Sequence, residues 1–156
     1  MLSEQVQVAP QAWVALLRAH AAATRQLSAL LVAEHGLTIN DFEALLHLSR
    51  AEDRRMRRVD LAGELLLTAS GVTRLLDGLE AAGFVERATC ASDRRVVYAV
   101  LTDVGEAKLR EAAESHVGAV RALFYERFTE DELRQLGGLL TRLPGAQDAA
   151  DEDCSP

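Results

Sequence analysis

Residues 59–105, VDLAGELLLTASGVTRLLDGLEAAGFVERATCASDRRVVYAVLTDVG, constrain the fold of this 156-residue chain more than any other stretch. Apolar residues recur at helical spacing in two short runs separated by Thr68, a good helix N-cap. Gly83 closes the second run, and two strand-like segments follow it, the second rich in Val and Tyr. Between them Ala91-Ser92-Asp93-Arg94 reads as a turn. Two helices and then an arginine-bearing hairpin, in that order, predict a nucleic-acid-reading surface.

The overall charge speaks against such a surface, with 17 Lys and Arg facing 24 Asp and Glu for a net −7. The distribution of that charge speaks for it. Residues 54–95 hold eight Arg and six acidic residues, a local balance of +2, whereas the rest of the chain holds nine basic and eighteen acidic ones, a balance of −9. Affinity for DNA follows local phosphate contacts, and an acidic body disfavours misplaced docking.

A helix predicted from Pro10 to about residue 34 carries Trp13, Leu16, Leu17, His20, Leu27, Leu30 and Leu31 at helical spacing, with Gly36 just past its end and residues 1–9 loose. Thr38 caps a second helix that buries Phe42, Leu45, Leu46 and Leu48, and residues 51–57 form a charged connection. The third, about residues 59–66, turns Leu61, Leu65 and Leu66 inward, and the fourth, residues 69–82, buries Val72, Leu75, Leu76 and Leu79. Thr102 caps a long helix reaching about residue 127, and Thr129 with Glu132 forms a capping box for a last helix to about residue 143. Residues 146–156 are acidic, lack large apolar side chains and are expected to be disordered.

Within the fourth helix Ser70, Thr73, Arg74 and Asp77 share one face, opposite the apolar one. The hydroxyls can meet bases or phosphates, Thr73 can offer its methyl to thymine, and Arg74 can fork onto guanine or phosphate. Gly71 would let the backbone come close to DNA. In the hairpin Asp93 opposes DNA by charge. Its expected purpose is to hold the Arg95 guanidinium by paired hydrogen bonds, so that Arg95 enters a minor groove already ordered, with Arg94 at or beside the tip.

The segments TASGVTRLLDGLEAAGFVER and SDRRVVYAVLTDVGE, and the layout of nearly the whole chain, resemble the MarR family of bacterial winged-helix regulators. The second segment matches that family's wing signature: Asp-x-Arg (Asp93, Arg95), a short strand, Leu101-Thr102 and Gly105 opening the next helix. The resemblance implies a mainly α fold with a small β-hairpin wing. A winged helix-turn-helix lobe (residues 38–101) would sit between dimerisation helices (10–35 and 102–143) of a single MarR-type domain. It also implies a homodimer reading a palindrome, a ligand pocket between the dimer part and each lobe, and repression relieved by ligand.

The apolar positions of the terminal helices, among them Trp13, Leu17, Val120, Phe124, Leu136 and Leu140, exceed what a lobe of residues 38–101 can cover, which independently predicts a two-fold partner. The peroxide-sensing branch of the family uses a Cys in its first helix, and none stands there. By elimination the expected effector is a small aromatic or phenolic anion, with Trp13, Arg18, His20 and His47 as candidate pocket groups. Cys90 at the wing strand, beside Arg87, leaves a redox-responsive regulator open. A winged-helix protein-interaction module also stays open, although a docking domain has no need of a basic reading face. His20, His35, His47 and His116 lack metal-ligand spacing, so neither metal nor cofactor is expected. Without a phosphate-cradling glycine loop or a nucleophile–base pairing, the chain is not expected to be an enzyme. Two distant cysteines, no secretory signal and no run of roughly 20 apolar residues fit a cytoplasmic protein apart from membranes.

Overall fold

A computed structural model describes residues 2–145, and their side chains from residue 7 onward. The elements run α1 (Leu2–His35), α2 (Ile39–Arg50), a 3-10 turn (Glu52–Arg54), β1 (Arg55–Arg57), α3 (Arg58–Glu64), α4 (Ala69–Ala81), β2 (Val85–Thr89), β3 (Val97–Leu101), α5 (Asp103–Tyr125) and α6 (Glu130–Leu140). The chain divides into a larger unit ending at Val117 and a smaller one beginning at Gly118. The expected disorder of residues 146–156 and the second cysteine, Cys154, lie outside the described residues.

Hydroxyls open most of the helices. Thr38 accepts from the Asp41 amide at 3.2 Å while Asp41 accepts from the Thr38 amide at 2.8 Å, a reciprocal capping box that opens α2. Thr68 accepts from the Gly71 amide at 3.1 Å to open α4. Thr102 accepts from the Gly105 amide at 3.0 Å and donates to the Gly83 carbonyl at 2.7 Å, so one side chain both caps α5 and ties it to the end of α4. At Gly105 a Cβ would stand 2.0 Å from the Phe84 carbonyl oxygen, and only glycine fits there.

The core gathers Phe42, Leu45 and Leu48 of α2, Leu61 of α3, Val72, Leu76 and Leu79 of α4, and Val85, Ala99 and Leu101 of the sheet, with Leu31, Leu109 and Ala112. Alternation along the strands places Val85, Ala99 and Leu101 on one buried face. The antiparallel sheet has the order β1-β3-β2, with Met56 opposite Ala99 and Val85 opposite Leu101. Two histidines add to the packing of the larger unit. His35 Nε2 lies 2.8 Å from Ser115 Oγ, and His116, whose pKa burial lowers, packs its ring 4.7 Å from that of Phe42.

Four sequence expectations are corrected. The first helix begins at Leu2, with Pro10 inside it, instead of following a loose segment. Proline removes one backbone hydrogen bond and crowds the preceding turn, which weakens a helix without always ending it. The connection at residues 51–57 contains a strand, because Arg55–Arg57 supplies a third partner to the hairpin and buries part of Met56. The third helix ends at Glu64, two residues early. Leu66 then takes a left-handed conformation (φ 52°) and is 92 % exposed instead of packing inward, while Leu61 and Leu65 are buried as expected. The turn of the hairpin is also centred farther along, on Arg94 and Arg95.

Candidate nucleic-acid interface

The tip of the β2–β3 hairpin is a four-residue turn closed by the Val96 amide donating to the Asp93 carbonyl at 3.1 Å. Arg94 and Arg95 occupy its two central positions, and both are exposed. The Cys90 amide donates to the Val96 carbonyl at 3.1 Å and extends the pairing one step beyond β2 and β3. Asp93 stiffens the tip, though not by the expected route. Its Oδ1 accepts the Arg95 backbone amide at 2.9 Å, and among the described residues no ion pair joins its carboxylate to the Arg95 guanidinium. A short side chain two residues upstream reaches its neighbour's amide far more readily than the end of a long arginine. Asp93 thereby fixes the backbone that carries Arg95, and the guanidinium itself stays available to solvent.

On α4 the buried face is Val72, Leu76 and Leu79, with Leu75 half-buried, and Ser70 and Arg74 are exposed on the other side. Thr73 Oγ1 donates to the Ala69 carbonyl at 2.8 Å, which satisfies its proton inside the helix and leaves methyl and lone pair for an incoming base. The Ser70 hydroxyl lies 3.2 Å from Thr68 Oγ1, part of the capping arrangement. At Gly71 an added Cβ would meet Thr68 Oγ1 at 3.2 Å and Leu67 Cβ at 3.6 Å. Its bare side therefore faces the chain's own cap, and its amide is already given to Thr68.

Asp77, expected on the reading face, is engaged elsewhere. Arg87 of β2 pairs with it and reaches Glu80 at 2.8 Å, bridging the middle of α4 to the first wing strand. These groups are between 37 and 59 % exposed, so the bridge is worth no more than about 1 kcal/mol. From sequence alone Arg87 stands out only as a neighbour of Cys90. The thiol of Cys90 is indeed held below its ordinary range, but chiefly by the Ser92 hydroxyl at 3.1 Å, then by the Ser92 and Asp93 amides.

Other arginines are held close to the same lobe. Arg57 forks onto Asp60 at 2.7 and 3.2 Å, which raises its pKa, and Arg55 lies over the Tyr98 ring, 5.2 Å from its centroid. Arg54 binds Asp103 at 3.0 Å and Glu106 at 2.6 Å, pinning the 3-10 turn to the start of α5. Of the arginines from 54 to 95, Arg74, Arg94 and Arg95 are exposed on the recognition helix and the wing tip, where a duplex would be met.

The four candidate pocket groups are not brought together. His20 lines an open groove of about 680 Å³ along α1 with Thr24, Arg25, Ser28, Val32 and Ile39. Arg18 lines a separate, smaller groove with Pro10 and Val14, and neither groove includes Trp13 or His47. Trp13 is 59 % exposed on α1, and His47 is half-buried on α2. Among the described residues, no three His, Cys, Asp or Glu groups gather where they could hold a metal ion, and no helix is long and apolar enough to cross a membrane.

Comparison with known proteins bears on this geometry directly. The model of the MarR family matches residues 35–96, from the end of α1 to the wing tip. The chain is 33 % identical over 115 residues to the HTH-type transcriptional repressor YetL of Bacillus subtilis, a match that covers 71 % of this chain and 68 % of YetL. Among solved structures, AbsC, a MarR family transcriptional regulator from Streptomyces coelicolor, superimposes with a TM-score of 0.75 at 34 % identity, covering 92 % of this chain and 95 % of AbsC. Sco3205, a MarR family regulator of the same organism whose crystal structure is a complex with DNA, gives a TM-score of 0.75 at 31 % identity, covering 83 % of this chain and 81 % of its own. With the helix-turn-helix, the capped recognition helix and the arginine-tipped wing, these likenesses establish that the chain belongs to the MarR family of transcriptional regulators.

Proposed function

We propose that this protein is a homodimeric repressor that reads a palindromic operator and is released by a small aromatic or phenolic ligand. The observation that carries the reading is the joint presentation of two exposed elements by one small core. The first turns of α4 offer Ser70, Thr73 and Arg74, and a backbone-stiffened turn offers Arg94 and Arg95. In this reading α4 enters the major groove with Arg74 on guanine or phosphate, and Arg95 enters the adjacent minor groove with Arg94 on the backbone. The repressor function named for YetL and the DNA held by Sco3205 support the same assignment. Exposed Trp13, Val14 and Leu17 on α1, with Leu139 and Leu143 in the smaller unit, support the two-fold partner. The groove beside His20 is the proposed entry for the ligand, with Arg25 as the cation that would attract an anion.

Random-site selection with the purified protein yields an operator duplex on which the reading can be tested. Arg95→Ala is expected to weaken binding to that duplex about tenfold or more and to lower the salt slope by about one, with helicity and dimer mass intact. Arg74→Ala is expected to relax sequence preference as well. Wild-type protein that selects no sequence, or Arg95→Ala protein with unchanged affinity at moderate salt, overturns the assignment of this surface to DNA.

A further inference from the structure

Helices α3 and α4 are closed by the same pair of backbone bonds. After α4 the Gly83 amide donates to the Glu80 carbonyl and the Phe84 amide to that of Leu79, both at 2.9 Å. After α3 the Leu66 amide donates to the Gly63 carbonyl at 3.2 Å and the Leu67 amide to that of Ala62 at 2.9 Å. Both closures place the residue beyond the cap in left-handed backbone, at φ 77° for Gly83 and 52° for Leu66. The end of α1 also passes through a left-handed glycine, Gly36 at φ 70°. Glycine accepts this conformation freely, whereas the Cβ of an L-residue crowds the following carbonyl.

Leucine is thus the exception at a position where the fold prefers glycine, and it is unfavourable in a second way. Leu66 is 92 % exposed while its neighbours Leu65 and Leu67 pack against the core, so its side chain contributes nothing to the packing. A bulky residue held in unfavourable backbone with its side chain in water points to a use outside the fold. Its place identifies that use. Leu66 stands two residues before Thr68, whose hydroxyl opens α4, and the first turns of α4 carry Ser70, Thr73 and Arg74. The N-terminal end of a reading helix is the end nearest the bases. DNA presents apolar carbon there, as the thymine C5 methyl and the deoxyribose ring.

We propose that Leu66 is an apolar DNA contact, packing at the mouth of the major groove against a thymine methyl or a deoxyribose face. This rests on the DNA-binding reading above and adds to it a residue without charge or hydrogen bond. Covering a leucine side chain in this way is expected to tighten binding about tenfold.

The test uses the full-length protein and an operator duplex recovered by random-site selection with the wild type. Leu66→Gly is expected to weaken binding about tenfold with the salt slope unchanged, because no phosphate contact is lost. Its thermal midpoint should equal or exceed that of the wild type, since the left-handed position is relieved. Leu66→Asn, which tolerates the same backbone but is polar, should bind as weakly, and Leu66→Met should restore most of the affinity. A duplex with uracil for thymine separates the two targets. If the methyl is the partner, wild type loses affinity on it and Leu66→Gly does not; if the sugar is, neither does. Unchanged affinity in both Leu66→Gly and Leu66→Asn, with Arg95→Ala still impaired, overturns the proposal and leaves the DNA reading standing. A lowered midpoint or altered dimer mass for Leu66→Gly overturns it too, showing a packing or protein-contact role.

Discussion

The middle of this chain and its ends use similar residues to opposite effect. Among the described residues, every buried hydrophobic one falls between Leu31 and Ala112. Helix α6 buries none of its side chains, although Leu133, Leu136, Leu139 and Leu140 recur on it at helical spacing. Most of α1 is likewise exposed, with Val8, Trp13, Val14 and Leu17 each more than two-fifths accessible. An amphipathic helix becomes core only where another element covers it. The middle supplies its own cover from three helices and a sheet, whereas among the described residues the apolar side chains of α6 and of most of α1 stay exposed or half-buried.

The largest expected effect would come from breaking the middle at its tightest point. Gly105 lies where the start of α5 meets the Phe84 carbonyl, and a Cβ there would also stand 2.8 Å from Leu101 Cδ1. Gly105→Ala must displace backbone in a junction that Thr102 has already fastened to Gly83 and Phe84. A loss of about 3 kcal/mol and a thermal midpoint lower by about 10 °C are expected from calorimetry. A midpoint within about 2 °C of the wild type would show that the lobe yields locally and is less rigid than its packing implies.

The ends should break differently. Trp13→Glu with Leu17→Glu alters two side chains that are 59 and 47 % exposed, so the fold of a single chain loses little. Sedimentation is expected to show a monomer at micromolar concentration, with the lobe's helicity largely kept. A dimer that survives both charges would place the partner surface elsewhere and remove the contrast between middle and ends.

How much of this can be read from the sequence follows the range of the interactions involved. The caps at Thr38, Thr68, Thr102 and Thr129 are contacts over three residues, so the sequence marks each threonine as a helix start, and at Thr129 it also names the partner, Glu132. The periodicity of Val72, Leu76 and Leu79 announces which face of α4 turns inward. Strand β1 is illegible because three residues of alternating Arg and Met become a strand only by pairing with β3, more than 40 residues away. Leu66 misleads because its apolar character fits the helical period, while the helix ends at Glu64, Leu65 caps it and the backbone turns left-handed at Leu66 itself. At the site, the exposure of Arg74, Arg94 and Arg95 is legible, but the partners of Asp93 and Asp77 are not. Each carboxylate has several donors in reach, and geometry chooses the Arg95 amide for one and the Arg87 guanidinium for the other.

The smallest effect concerns what holds α6 when none of its side chains is buried. Its first turn is closed by Thr129 and Glu132, whose carboxylate accepts the Thr129 amide at 2.8 Å and the hydroxyl at 3.0 Å, and Arg134 adds an ion pair with Asp131 at 2.9 Å. The two Thr129 bonds, the amide first, hold the Glu132 carboxyl below its ordinary value of 4.5. A carboxyl with a folded pKa below its unfolded one stabilises the fold fully above the unfolded value, and the contribution is lost as pH falls through the folded one. Stability of the wild type should therefore decline more steeply than that of Glu132→Gln as the pH drops below about 4.5. The glutamine can still close the capping box by its amide oxygen, so the two proteins should differ little at neutral pH. Thr129→Ala removes both bonds and should lower the midpoint by about 2 °C near neutral pH. Should Thr129→Ala instead abolish the dimer as fully as the Trp13 and Leu17 charges do, α6 would depend on its cap for assembly, and the cap, not the apolar stripe, would be what distinguishes the ends from the middle.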